Sequence, residues 1–186
     1  MTQQRKVAFI HIHRTGGSTI SSLLHQAKQP NDIILSQHCR LNCLAKCYPE
    51  YNDSFFVFSM VRNPWERIMS WYLLVQSRAQ TKTDFITFID LIQAEESRLC
   101  GSFLFNQVDY LTPEANGKIA NQIYRYENYE HDVKAVLEYL EMPINEIPKL
   151  NNNRLTSAYR DYYSTATKNL VSRLCEKDID EFKYSF

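Results

Sequence analysis

Residues 9–20 read FIHIHRTGGSTI, and no other stretch limits the fold as tightly. The run from Lys6 to Ile12 is apolar and rich in strand formers, whereas Ile20, Leu23 and Leu24, within Ser18 to Gln26, recur at helical spacing. A strand therefore feeds a helix through a turn of one arginine, two adjacent glycines and hydroxyl residues. Such a turn leaves backbone N–H groups at the positive end of the helix dipole, and glycine removes the Cβ that would hold an anion away. Thr15, Ser18 and Thr19 add hydroxyl donors and Arg14 a guanidinium. With Gly16 and Gly17 they form a cradle for a multiply charged anion such as a phosphate or phosphosulfate. The alternative is an ordinary tight turn with a Ser/Thr cap; Arg14 favours the anion, because capping does not need its charge. A Walker loop is excluded, since neither the glycine spacing nor the lysine of G-x-x-x-x-G-K-[ST] is present.

The same alternation recurs along the chain. Ile33 to Leu35 is a second short strand, and the nearly continuous apolar run SFFVFSMV, Ser54 to Val61, suits a parallel strand buried on both faces. Asn63 and Pro64 then read as the cap and first position of a helix, and Asp84 caps another. A fourth strand is expected around Ile123 to Tyr126, a helix over Glu127 to Leu140, and a last helix from Ser164 to Phe182. This pattern predicts a three-layer α/β fold: a small, mostly parallel central sheet flanked by helices, with a P-loop-like strand–turn–helix at the N-terminus. At 186 residues, one domain over residues 1–186 is expected.

A second anion site is legible in SMVRNPWERIMSWY. Arg62 lies at the carboxyl end of a buried strand, where ligands of open α/β sheets collect, and Ser70 lies about two turns into the next helix. Pairing of Arg62 with a surface carboxylate, and Ser70 in a packing niche, is the other reading of these two residues. Arg67 reads as a solvated helix charge. Taken with the first turn, Arg62 and Ser70 describe a ligand with two separated anionic groups. The formal net charge is zero, so attraction for such a ligand has to be local, and nothing marks a nucleic-acid or membrane partner.

HIHRTGGST and VRNPWERIMSWY together resemble the sulfotransferase superfamily that uses 3′-phosphoadenylyl sulfate (PAPS), in the branch of the carbohydrate O-sulfotransferases with openings of the form hIPKTGGTS. NQVDYL, IYRYENYEHD, NRLTSAYRDYY and DIDEFKYSF fall in the family's order. The resemblance implies that the first segment binds the 5′-phosphosulfate and that Arg62 and Ser70 hold the 3′-phosphate. It implies sulfuryl transfer to a hydroxyl of a saccharide or of a small-molecule or natural-product acceptor, with release of adenosine 3′,5′-bisphosphate (PAP) and no required metal. The family's Pro-Lys is His13-Arg14 here, so the leaving-group contact falls to Arg14, which neutralises charge but does not readily give up a proton. A soluble, bacterial-type cytoplasmic enzyme is the better comparison. A nucleotide kinase-like phosphoryl transferase and a non-catalytic PAP-binding module are the alternatives.

Sulfuryl transfer needs a base for the acceptor's proton. Of five histidines, His38 follows the second strand and so reaches the sheet edge that carries the cradle, which makes it the expected base. His11, in the first strand, is the second candidate, and His13 is read as a spacer. Residues 151–163 have the polar and aromatic density of a loop closing over a nucleotide, with Arg154 placed to meet a phosphate. Gln107, Tyr110 and Tyr126 are candidates for contacting the acceptor. Cys39, Cys43 and Cys47 recur every four residues, as on one helical face. Reduced thiols are expected there rather than a zinc site with His38, because C-x2-C spacing is absent.

Overall fold

The computed structural model describes residues 6–26, 33–98, 104–112, 120–142, 147 and 158–186. Strands β1 (Lys6–His11), β2 (Ile33–Gln37), β3 (Phe55–Val61) and β4 (Gln122–Arg125) form one sheet in the order β2-β1-β3-β4. Every pairing is parallel, with Ile10 level with both Ser36 and Ser59, and Val61 with Arg125. Parallel neighbours require crossovers, and helices supply them: α1 (Gly17–Leu24) follows β1, while α2 (Leu41–Cys47) and α3 (Tyr51–Ser54) lie between β2 and β3. The fold is thus α/β, with a small parallel sheet and flanking helices.

The described residues cluster as two compact units, Met1–Val61 with Asp109–Asn151, and Arg62–Val108 with Asn152–Phe186. In the first, Ile20 and Leu24 of α1 pack with Val133, Val136 and Leu137 of α7 (Tyr129–Tyr139) over Val7, Phe9, Phe58 and Met60. Ala8, Ile10 and Ile12, which alternate with those β1 residues, are buried too. A strand buried on both faces needs a nearly continuous apolar sequence, which β1 and β3 have. The one polar residue well inside β3, Ser59, satisfies its hydroxyl by donating to the Ile10 carbonyl at 2.7 Å. Beyond β3, a short helix α6 (Val108–Leu111) precedes β4.

In the second unit, α4 (Pro64–Arg78), α5 (Phe85–Arg98), α8 (Thr165–Leu174) and α9 (Glu176–Phe182) enclose Trp65, Ile68, Phe88, Ile89, Ile92, Phe105 and Val171. The helix starts are where the cap residues put them: Asn63 Oδ1 accepts from Trp65 and Glu66, Asp84 Oδ1 from Thr87, and Ser164 Oγ from Thr167. The expected single helix from Ser164 to Phe182 is two. The chain leaves helical geometry at Cys175 (φ −112°, ψ 26°), which lets Asp178 reach Gln107 and Val108.

Two expectations are corrected here. Arg67 is not a solvated charge: it is wholly buried, and its guanidinium donates to the carbonyls of Phe105 and Leu104 at 2.8 and 3.0 Å. Cys39 and Cys43 are not reduced thiols on one helical face but are joined in a disulfide. The helix begins only at Leu41, so Cys39 lies on the extended approach through Arg40, with its Cα 6.2 Å from that of Cys43, within disulfide reach. Among the described residues no group of three or more His, Cys, Asp or Glu could hold a metal ion, and no helix is long and apolar enough to cross a membrane.

Candidate active site

The turn between β1 and α1 is built by two residues in left-handed geometry, Arg14 (φ 65°) and Gly16 (φ 83°). Thr15, fully buried between them, donates its hydroxyl to the Ile12 carbonyl at 3.0 Å and so closes the turn. Its expected role as a hydroxyl donor to an anion is therefore taken up by the backbone. The α1 N-terminus has no side-chain cap and no acidic residue in its first turn. Its leading amides and dipole are left to a ligand, with Ser18 exposed among them. Thr19 is buried and hydrogen-bonds Tyr129, whose hydroxyl also donates to the Gly16 carbonyl at 2.9 Å. Burial pushes the Tyr129 hydroxyl up to about 12, so it stays protonated and keeps donating.

The glycines have a packing reason as well as an electrostatic one. A Cβ on Gly16 would meet the rings of Tyr129 and Tyr126, and one on Gly17 would overlap the His11 ring. Tyr126 and Tyr129 are spaced by three residues in YENY, so a 3-10 turn over Tyr126–Asn128 running into α7 turns both towards the same glycine. They also line a cleft of about 620 Å³ with Glu127, Asn128, Glu130 and His131.

Three histidines converge at the carboxyl edge of β1 and β2. His38 follows the last pair of that ladder, His11 with Gln37, and its Nδ1 lies 3.2 Å from the His11 carbonyl. A carbonyl only accepts, so Nδ1 carries the proton and the lone pair of neutral His38 sits on Nε2. The His13 ring stacks on His38 with centroids 3.4 Å apart, and its Nδ1 is 3.2 Å from the hydroxyl of Tyr110, which is completely buried. The sequence reading of His13 as a spacer missed this. The partner lies 97 positions away and leaves no local signal.

His11 is buried against Gly17, and burial, then the neighbouring His38, lowers its pKa to about 4. Its ring is neutral at pH 7 and is engaged in packing. The folded value lies below the unfolded value of 6.5, so the unfolded chain binds the proton first as pH falls. Stability present above pH 6.5 should drop by about 3 kcal/mol as pH approaches 4. Urea unfolding of His11→Gln beside the wild type at pH 7.5, 5.5 and 4.5 tests this. The variant should lose less stability, and parallel losses would refute the assignment.

In the second unit, Arg62 is nearly buried and held from three directions. Its N–H donates to Gln107 Oε1 at 2.9 Å, its carbonyl accepts from Gln107 Nε2 at 2.7 Å, and its guanidinium donates to Glu66 at 2.7 Å. Gln107 is itself wholly buried and gives its other amide hydrogen to Asp178 at 2.8 Å. With both hydrogens committed it holds Arg62, and no donor remains for an acceptor molecule. Glu66 stands four residues after Arg62 and four before Ser70 on α4, so carboxylate and hydroxyl share a helix face beyond Arg62. The i,i+4 spacing of Arg62 and Glu66 was the sequence signal for this pair. A phosphate meeting Arg62 has to share it with Glu66. Arg154 lies outside the described residues.

An uncapped helix start behind a left-handed arginine turn thus stands at the carboxyl edge of a parallel sheet, and the fold is of the α/β class. A model of the sulfotransferase family matches residues 1–185, and the chain belongs to that family. No curated protein matches it. Among solved structures, mouse sulfotransferase SULT7A1 in complex with PAP has a TM-score of 0.61 at 11% identity, covering 96% of this chain and 85% of that one. A sulfotransferase from Alicyclobacillus acidocaldarius gives 0.56 at 10% identity, covering 100% and 98%. At such identities the likeness is one of fold.

Proposed function

We propose that the chain, as one sulfotransferase-like domain over residues 1–186, transfers the sulfuryl group of PAPS to a hydroxyl of a saccharide or small-molecule acceptor and releases PAP. The observation that carries this reading is the α1 N-terminus. Its amides are uncapped and begin three residues after Arg14, and His38 stands at the same sheet edge with its lone pair on Nε2. The donor supplies an activated sulfuryl group; the protein supplies the base, the positive charge and the alignment.

His38 Nε2 takes the acceptor's hydroxyl proton as the new O–S bond forms and the bond from sulfur to the bridging phosphate oxygen breaks. The α1 amides and Arg14 stabilise the charge left on the 5′-phosphate, and Arg14 keeps its proton throughout. Arg62 and Ser70 are assigned to the 3′-phosphate. Tyr126 is assigned to the acceptor, because the cleft it lines combines aromatic faces with Glu127, Asn128 and Glu130, groups suited to hydroxyls. A cytoplasmic location belongs to the proposal; the Cys39–Cys43 disulfide pulls the other way, since disulfides persist in oxidising compartments.

A PAP thermal shift and transfer from labelled PAPS to a panel of hydroxylated acceptors test the reading. PAP at roughly 100 times its Kd should stabilise the fold by about 2.7 kcal/mol. His38→Ala should lower kcat by roughly 100- to 10,000-fold while sparing that shift. His38→Asn, better tolerated at φ 61°, controls for backbone strain. Absence of a PAP shift in the wild type would end the proposal.

A further inference from the structure

The cluster around His38 contains more than a base. Its imidazole has one nitrogen on the His11 carbonyl, one face on the His13 ring (3.4 Å, 16°), and the His11 ring tilted against it at 4.7 Å. His13 in turn is tied through Nδ1 to Tyr110, whose ring is fully buried on α6. His38 itself sits just past the end of β2 in left-handed backbone geometry (φ 61°).

We propose that His13 is a positioning residue for the His38 base, with Tyr110 as its anchor. The meaning of this for catalysis rests on the sulfuryl-transfer reading; the placement itself rests on the geometry. The hydrogen bond to the His11 carbonyl fixes one point of the His38 ring. The His13 ring, a flat plate at van der Waals distance, sets the plane in which that ring lies. Together they fix the plane of the ring and the direction of the Nε2 lone pair, which is what a general base requires before its substrate arrives. The plate holds still only if it is anchored, and a buried tyrosine hydroxyl supplies that anchor. His13 precedes Arg14 directly, so one short segment then carries both the positioning plate and the cation assigned to the leaving phosphate.

The test reads the ring tautomer of His38 and needs no substrate. In full-length, nitrogen-15-labelled protein at about pH 8, above the ordinary histidine range, long-range ring correlations should show wild-type His38 in the Nδ1–H form. In His13→Ala the spectrum should become a mixture of both tautomers. His13→Phe, which keeps a flat ring, should restore the Nδ1–H form, and Tyr110→Phe should give a smaller loss. In turnover, His13→Ala should lower kcat by roughly 10- to 100-fold. KM for PAPS and the PAP thermal shift should stay within about twofold of wild type.

An unchanged His38 tautomer in folded His13→Ala overturns the proposal. So does a loss of kcat that comes with an equal loss of PAP binding, because the anion turn rather than the base would then have been disturbed. If His13→Ala does not fold, Tyr110→Phe decides, since an unaltered tautomer there removes the anchor. A wild type that neither binds PAP nor transfers sulfate removes the functional reading, while the spectra still decide what His13 does.

Discussion

Gly16→Ala should destabilise the protein by about 2–4 kcal/mol and abolish the PAP thermal shift. Gly16 sits at φ 83°, where a side chain costs about 1 kcal/mol or more. The added Cβ would also stand 2.5 Å from Tyr129 Cε2 and 3.0 Å from Tyr126 Cε2, which forces those rings to move. Tyr129 cannot retreat cheaply, because its hydroxyl donates to the Gly16 carbonyl and is hydrogen-bonded to Thr19. Any relief of the clash therefore pulls on the helix start whose amides are assigned to the anion. Denaturant unfolding and PAP melts measure the two losses. Ser18→Ala, two residues further on and exposed, should leave stability within about 0.5 kcal/mol of wild type. Wild-type stability in Gly16→Ala would show that the turn relaxes freely and is not held by Tyr129.

That result bears on why the turn was readable from sequence while its reasons were not. Strand, glycine pair and helix are local features, and the cap residues Asn63 and Asp84 announced their helices because a cap acts within three residues. The burial of β1 and β3 on both faces was likewise written in their continuous apolar runs. The glycines, however, look from sequence like open access for a phosphate. In the structure their missing Cβ atoms make room for His11 and for two tyrosines about 110 positions further on. His13 with Tyr110 and Gln107 with Asp178 are of the same kind. Periodicity reports which face of an element is buried; it carries no information about which distant residue will be met there. Arg67 marks the limit most clearly, since on a helix wheel a buried arginine and a solvated one are indistinguishable.

Arg67→Ala is the second large effect expected, a loss of about 3–5 kcal/mol at pH 7. Its guanidinium donates to the carbonyls of both Phe105 and Leu104, the first of which also accepts from the Cys175 thiol. It also faces Asp178, a carboxyl pushed up by burial and drawn back down by the Arg67 charge and by donors from Gln107 and Val108. Removing Arg67 leaves two buried carbonyls and a buried carboxylate with less compensation. Arg67→Lys should recover part of the loss, because a lysine cannot fork onto two carbonyls. With the cation gone, the folded-state pKa of Asp178 rises further above its unfolded value. The folded variant then takes up a proton more readily than the unfolded chain, so its deficit should shrink as pH is lowered from 7 through that raised pKa. A double-mutant cycle with Asp178→Asn should show coupling of about 1 kcal/mol or more. Because Asp178 holds Gln107, and Gln107 holds both the N–H and the carbonyl of Arg62, the same variant should weaken PAP binding through a residue that never meets the ligand. A destabilisation that is independent of pH and of Asp178 would break that chain at its first link and leave Arg67 as a support for the 104–105 backbone alone.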